Sequence, residues 1–450
     1  MTTIVNSIGS VDGKPVRFPT GVTPFASSEY IGVPGEMGFG VGTFPHAARF
    51  GLLDLTANDD PLSPTYGNYQ AAGNGSVFVF VPKFYYRIGH VDNPTYATHG
   101  LNSLHVVGKE RFTTRAEAMA AGYAMPRAFI DGGIELDGFF YAKYIGSYTG
   151  GTAYSLPNSV PTRSVVLATY VDYAKSIIPG HSTCISLFQA SAVALLSLAH
   201  GQAATSASAC AWYDAAGLTN YPKGCNNNAL GDQNDADVTY LTAGDGSYPT
   251  RPLTGSGTPF AKTTHNGQAN GIADVNGNIW QVALGVTSPG SSSGDSTIIA
   301  NGTAFVLKES VRLADLTSGW NTGTDAWGDA THLATLYDEV TDFLPWADAT
   351  NWIYVGNGSN QVFDPALSGD GWLRTAAGLP KNTDAMSASG TNLFGNDGIY
   401  RSNRANVFPL CGGPWSNSQS GVFARNWGIF RTSSNLNLGF RASVSAAFGS

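Results

Sequence analysis

The sequence predicts an α+β fold of short strands, two helices and long ordered loops, preceded by a small irregular β arm. Apolar residues recur at helical spacing in two sizeable stretches, 165–178 and 186–200, whereas 77–86 alternates as a strand does. With 55 glycines and 23 prolines, the 450-residue chain must turn often. Aromatic residues make up 12%, too many for a chain that stays disordered.

Residues 1–61 carry repeated Gly and Pro between short apolar patches, as in GVTPFASSEYIGVPGEMGFGVGTFP, and are expected to form an attachment or oligomerisation arm. The remainder, 62–450, is expected to be one domain with long insertions at 201–270 and 287–400. In 77–86, Pro82 marks an edge or bulge. The segment TTRAEAMAA (113–121) is a short helix capped by Thr113 or Thr114 and stopped by Gly122. A further strand covers 139–145. The helix over 165–178 ends at Pro179-Gly180, and the one over 186–200 at Gly201. Periodicity then fades until 272–286, where a turn is flanked by strand-like residues. Loops of that length are usually functional.

Charged residues are 12%, about half the ~25% usual for soluble proteins, so neutral polar groups must cover the surface. The net charge of -8, with scattered Lys and Arg, leaves no basic stripe for nucleic acid. The N-terminal MTTIVNSIGSVDGK lacks the charged and apolar regions of a secretory signal, and the apolar run at 190–199 is too short to span a bilayer. Neither nucleic-acid binding nor membrane insertion is expected. Cys184, Cys210, Cys225 and Cys411 have no CxxC spacing and read as buried free thiols.

The most telling tract is LCGGPWSNSQSGVFARNWGIFRTSSNLNLGFRAS (410–443), rich in Ser, Asn, Gly, aromatic residues and Arg. Recognition loops favour this set, because stiff aromatics give contact area at low entropy cost while small polar groups adapt their hydrogen bonds. GGPW followed by GFRAS resembles the closing strands of the C-type-lectin-like fold of formylglycine-generating enzymes, variable proteins of diversity-generating retroelements and phage tail-fibre tips. GSVFVFVPKFYYRIG (75–89), AFIDGGIELDGFFYAKYIGSYTG (128–150) and THNGQANGIADVNGNIWQVALG (264–285) are similar, in order, to the phage tail-protein branch.

That resemblance implies an exposed receptor-binding face carried by Ser416, Asn417, Ser418, Ser420, Phe423, Asn426, Trp427, Phe430, Arg431, Thr432, Ser433, Ser434 and Asn435. Trp427, Phe430 and Arg431 are the expected anchors. Gly412, Gly413, Trp415, Gly439, Phe440, Arg441 and the distant Trp280 read as scaffold, with Arg441 forking to buried acceptors. The competing reading is that Trp415, Phe423 and Trp427 fill the core. Val422 and Ala424 alternate with Phe423 and Arg425, and an extended strand would turn only one of these sets inward.

Chemistry is not expected. Asp274, Asn276 and Asn278, in DVNGNIWQ, resemble a segment that holds structural calcium in the formylglycine-generating family; Gln281 replaces its final Glu and weakens any such site. No cofactor is otherwise implied. The paired cysteines of those oxidases are missing after Gly412, and no two carboxylates stand out as a glycosidase pair.

The sequence therefore reads as a non-catalytic phage tail receptor-binding protein, a fibre tip or baseplate adhesin. It would be made in the host cytoplasm and carried in the virion tail. Its expected partners are a bacterial surface protein or glycan, sister subunits in a homotrimer, and other tail or baseplate proteins through the N-terminal arm. Two alternatives are a retroelement-diversified display protein and a glycan-degrading tailspike-type enzyme.

Overall fold

A five-stranded antiparallel sheet organises the chain, in the order Ser182–Cys184, Ala442–Ala446, Gly138–Ala142, Ser76–Pro82, Ala48–Phe50. The computed structural model describes residues 30–42, 75–215, 220–288, 298–316, 334–358, 360–390 and 394–446, together with the strand backbones of Ser7–Val11, Lys14–Arg17 and Ala48–Phe50. Side chains along its central strands alternate between two buried layers. Phe78 and Phe80 join Phe140 and Ala142 on one face, while Val79 and Val81 join Phe139 and Tyr141 on the other. A sheet covered on both sides reads as an almost unbroken apolar run, as FVFV and FFYA do.

The predicted strand at 77–86 is two strands. Ser76–Pro82 pairs with Gly138–Ala142, and Phe84–Ile88 pairs with Leu104–Gly108 in a separate hairpin. The break falls at Pro82 and Lys83, where proline has no N–H to donate. The short helix Arg115–Ala120 is capped by Thr114, whose hydroxyl accepts from the Glu117 N–H.

Leu167–Ile177 covers one face of the sheet through Leu167, Tyr170, Val171, Ala174 and Ile177, one apolar stripe at helical spacing. Leu187–Ala203 lies in the other layer and starts in a capping box between Ser186 and Gln189. Gly201 does not stop this helix as expected. All but its final residue are buried, and Gln202 pins the last turn by donating to Asn102 O (2.7 Å) and accepting from the Leu104 N–H (2.8 Å). Packing overrides the glycine propensity here.

Two domain expectations change. Residues 30–42, assigned to the arm, belong to the main domain: Ile31, Phe39 and Val41 are core residues, and the Gly42 N–H donates to Phe80 O. The rest of 1–61 lies outside the described residues apart from the strand backbones. The described residues of 287–400 are also no mere surface insertion. They supply Asn351–Val355, Met386–Ser387 and Gly398–Arg401 to a seven-stranded sheet and Gly369–Ala376 to the helical layer. All four cysteines are buried and free. Among the described residues no helix is long and apolar enough to cross a membrane.

Candidate functional site

The carboxy-terminal tract threads through the seven-stranded sheet. Its pieces Arg425–Asn426, Leu410–Cys411 and Leu438–Gly439 lie beside Gly398–Arg401 and Trp280–Val282, with parallel pairing at both Ile399–Arg425 and Trp280–Leu438. One face of this sheet packs Cys411, Phe423 and Trp427; the other packs Trp280, Leu410, Ala424 and Leu438. Val422, Phe423, Ala424 and Arg425 are consequently all buried, where strand alternation alone would bury half.

This corrects much of the expected binding face. Trp427 is 1% exposed, set edge-on against Trp346, with its N–H donating to Tyr400 O through the backbone. Phe423 is fully buried between Phe363 and Phe394. The buried Ser420 hydroxyl donates to Pro414 O (2.9 Å). Arg431, also 1% exposed, donates to Asn406 Oδ1 (2.8 Å), to Thr287 Oγ1 (2.9 Å) and to Ser288 O. Burial lowers its pKa to about 9. Display is impossible for these four, because the sheet they traverse has a packed layer on each side. Asn426 is half-buried and accepts from the Gly428 N–H, and Phe430 lies half-buried against the core.

The residues read as scaffold are all buried. Gly412 and Gly413 have φ of 89° and 85°, and a Cβ on Gly413 would come within 2.2 Å of Ser420 Oγ. Arg441 has no exposed surface and uses every N–H of its guanidinium: on Gln281 Oε1 (2.7 Å), on the carbonyls of Ala142 and Lys143, and on those of Ala273 and Asp274. It clamps the two sheets together. Trp280, Trp415, Gly439 and Phe440 are buried as well.

The exposed remainder is Ser416 to Ser418 at one end of the tract and Thr432 to Asn435 at the other, each exposed or half-buried. Ser416, Ser434 and Asn435 meet in one groove of about 860 Å³, opposite Tyr248, Thr250 and Asn228. Backbone bonds fix its walls. The Asn227 and Asn228 N–H groups donate to Asn417 O and Trp415 O, the Trp415 N–H donates to Asn278 O, and the Ser164 N–H donates to Asn435 O. The 245–250 turn is held by Asp245, which accepts from the Ser247 N–H (3.1 Å) and pairs with Arg163 and Arg251. Tyr248 packs edge-on to Trp415, with ring centroids 6.0 Å apart and the Arg163 guanidinium 5.7 Å from its centroid.

Sequence reasoning missed Asn228, Tyr248 and Thr250. Asn226–Asn228 and Ser247-Tyr248-Pro249-Thr250 have the same amide, hydroxyl and aromatic make-up that singled out the C-terminal tract. They lie in the 201–270 stretch, where no periodicity announced a neighbour.

Asp274, Asn276 and Asn278 are fully buried. Asp274 accepts from the Gly255 N–H (2.6 Å), and burial pushes its carboxyl up to about 6. The Asn276 amide donates to Asn220 and to Pro222 O, which ties the 220–232 segment to this turn. One side-chain oxygen on each of the three has no hydrogen-bond partner among the described residues. Such oxygens suit a hard cation, but only one is a carboxylate, and Gln281 is committed to Arg441 and Asp274 O. No cluster of three His, Cys, Asp or Glu side chains placed to hold a metal occurs among the described residues. Nearby, Asp232 serves the fold by accepting from the Gly224 and Asn234 N–H groups, both at 2.8 Å.

No protein-family model and no curated protein matches the sequence. Solved structures that resemble the chain include variants of a tropism determinant and a protein of another sort. The Major Tropism Determinant U1 variant aligns over 85% of this chain and 69% of its own at 11% identity and a TM-score of 0.29. The M1 variant covers the same shares with a TM-score of 0.30. PvdO from Pseudomonas aeruginosa aligns over 82% of this chain and 95% of its own, at 11% identity and a TM-score of 0.29. These likenesses are distant, and the functional reading rests on the residues themselves.

Proposed function

We propose that the chain is an adhesin-like receptor-binding protein of a phage tail, built on a C-type-lectin-like frame, and that it docks a bacterial surface molecule in the groove formed by Asn228, Tyr248, Thr250, Ser416, Ser434 and Asn435. The supporting observation is that groove: a concave surface whose loops are locked to one another and to the sheet, lined by the residue types that recognise rather than transform. The clamped sheet behind it supports a rigid display. The order-giving motifs of the tract, GGPW and GFR, serve that frame, and the two flanks Ser416–Ser418 and Thr432–Asn435 form the rim. Catalysis is no part of this reading. Trimerisation, attachment through the amino-terminal arm and residence in the virion tail are expectations of the same proposal, since a weak single groove gains from avidity.

Binding of the full chain to a panel of whole bacterial cells tests it. Adsorption to some strains is expected, with an Asn435→Ala, Ser434→Ala double variant losing at least about tenfold in apparent affinity and keeping its unfolding temperature. Unaltered adsorption by that variant would place the site elsewhere. Release of new reducing ends from the polysaccharide of the bound cells would favour the tailspike reading instead.

A further inference from the structure

We infer that the groove takes an uncharged segment of a surface glycan, an inference that rests on the adhesin reading and assigns it a ligand class. Among the described residues, no Lys, Arg, Asp or Glu lines the groove. The nearest cations, Arg163 and Arg251, stand outside the lining and share the carboxylate of Asp245. An anionic sugar, a phosphate or an acidic peptide would find no charged side chain in the lining itself to offset the desolvation of its own charge. The contrast lies on the same molecule, where a second groove, of about 610 Å³, is lined by Asp342, Asp348, Arg374 and Lys381.

What the first groove does offer matches a polyol. Each sugar hydroxyl both donates and accepts, and the walls present groups that do the same: the amides of Asn228, Asn435 and Asn437 and the hydroxyls of Ser247, Thr250 and Ser434. Thr250 Oγ1 donates to Asn228 Oδ1 (2.8 Å), which leaves the Asn228 amide hydrogens without a partner among the described residues. The apolar part of the lining is contiguous, from Tyr248 through Trp415 to Leu436, and the C–H face of a pyranose ring is the complementary surface. Tyr248 is held in place by Trp415 and Arg163, so little side-chain entropy is lost on binding. The volume, about 860 Å³, is in the range of sites that enclose a small ligand, about 300–1,000 Å³.

The test separates envelope polysaccharides from the adsorbing strains into neutral and acidic pools by anion exchange, immobilises each and measures binding of the full chain. Retention on neutral pools is expected, with at least about tenfold weaker binding by Tyr248→Ala and by the exposed-site variant Asn435→Ala. It should change little between low and high salt, since no ion pair forms. Preference for acidic pools, full binding by both variants, or retention by neither pool overturns the inference. If cells treated with protease lose adsorption while cells treated with periodate keep it, the ligand is a protein and only the glycan assignment falls. If no strain adsorbs the chain at all, the adhesin reading falls with it.

Discussion

Arg425, Arg431 and Arg441 are almost wholly buried, and each donates to neutral acceptors: carbonyl oxygens, hydroxyls and amides. Leaving such acceptors without donors is costly, so Arg441→Ala should unfold the protein at lower denaturant than any groove variant, as urea titration would read. Trp427→Ala should cost about 3–5 kcal/mol for the cavity it opens, and its loss of adsorption should follow the loss of fold. Asp397 gives a pH signature. Its Oδ2 accepts from the Phe423 N–H (2.8 Å), Oδ1 has no hydrogen-bond partner among the described residues, and burial pushes the carboxyl up to about 8 from an ordinary 3.8. The unfolded chain ionises there first, so this group lowers stability as pH rises from about 4 to about 8. Asp397→Asn should match the parent in melting temperature at pH 4 and exceed it at pH 8. At this scale the scaffold residues were legible from motif alone, because tight glycine turns and a forked arginine have few other uses. Trp427, Phe423 and Arg431 were not: exposure depends on which layers cover a strand, and neighbours at 346, 363 and 394 are invisible in a local window.

Helices announced themselves through periodicity and caps, and both ends of Leu167–Ile177 fall within two residues of expectation. The strands of the seven-stranded sheet did not, since most are two to five residues long and pair across large sequence distances, too short for alternation to register. Segment 30–42 is the clearest element-level lesson. His265 accepts at Nδ1 from the Ile272 N–H and faces Gly40 O through Nε2, and His200 accepts at Nδ1 from the Gly35 N–H while Nε2 faces Ala209 O. Both rings must therefore be neutral, with the proton on Nε2. Burial lowers both pKa values, that of His265 to about 3. The unfolded chain takes up protons below about 6.5 that the folded chain refuses, so stability is present above that pH and is lost as pH falls from there toward 3. Compared with the parent, a His265→Gln variant should lose less, or gain more, in melting temperature as pH falls through this window.

For the whole molecule, the architecture separates a buried frame from an exposed groove. Side chains from both sheets fill two apolar layers, and what is left for the surface is neutral and polar, which agrees with a composition of 12% charged residues. The α+β class was readable from composition and two helices. The groove was readable by half: its C-terminal rim came from the tract, whereas the opposing rim came from a stretch without periodicity. Gly413→Ala offers a global check. At φ 85°, with Ser420 Oγ 2.2 Å from the added carbon, it should lower stability and disturb the rim at Ser416 together, visible as a lower melting temperature and weaker adsorption in one variant.

Ala442–Ala446 lies inside the five-stranded sheet, between Ser182–Cys184 and Gly138–Ala142. The ribosome must therefore release residue 446 before the two flanking strands, synthesised long before, can close around their missing neighbour. Until then the nascent polypeptide carries an open slot flanked by unpaired backbone. Folding should be late and slow for its size, as such long-range pairing requires. Removing 442–446 would leave that slot open and the five-stranded sheet incomplete.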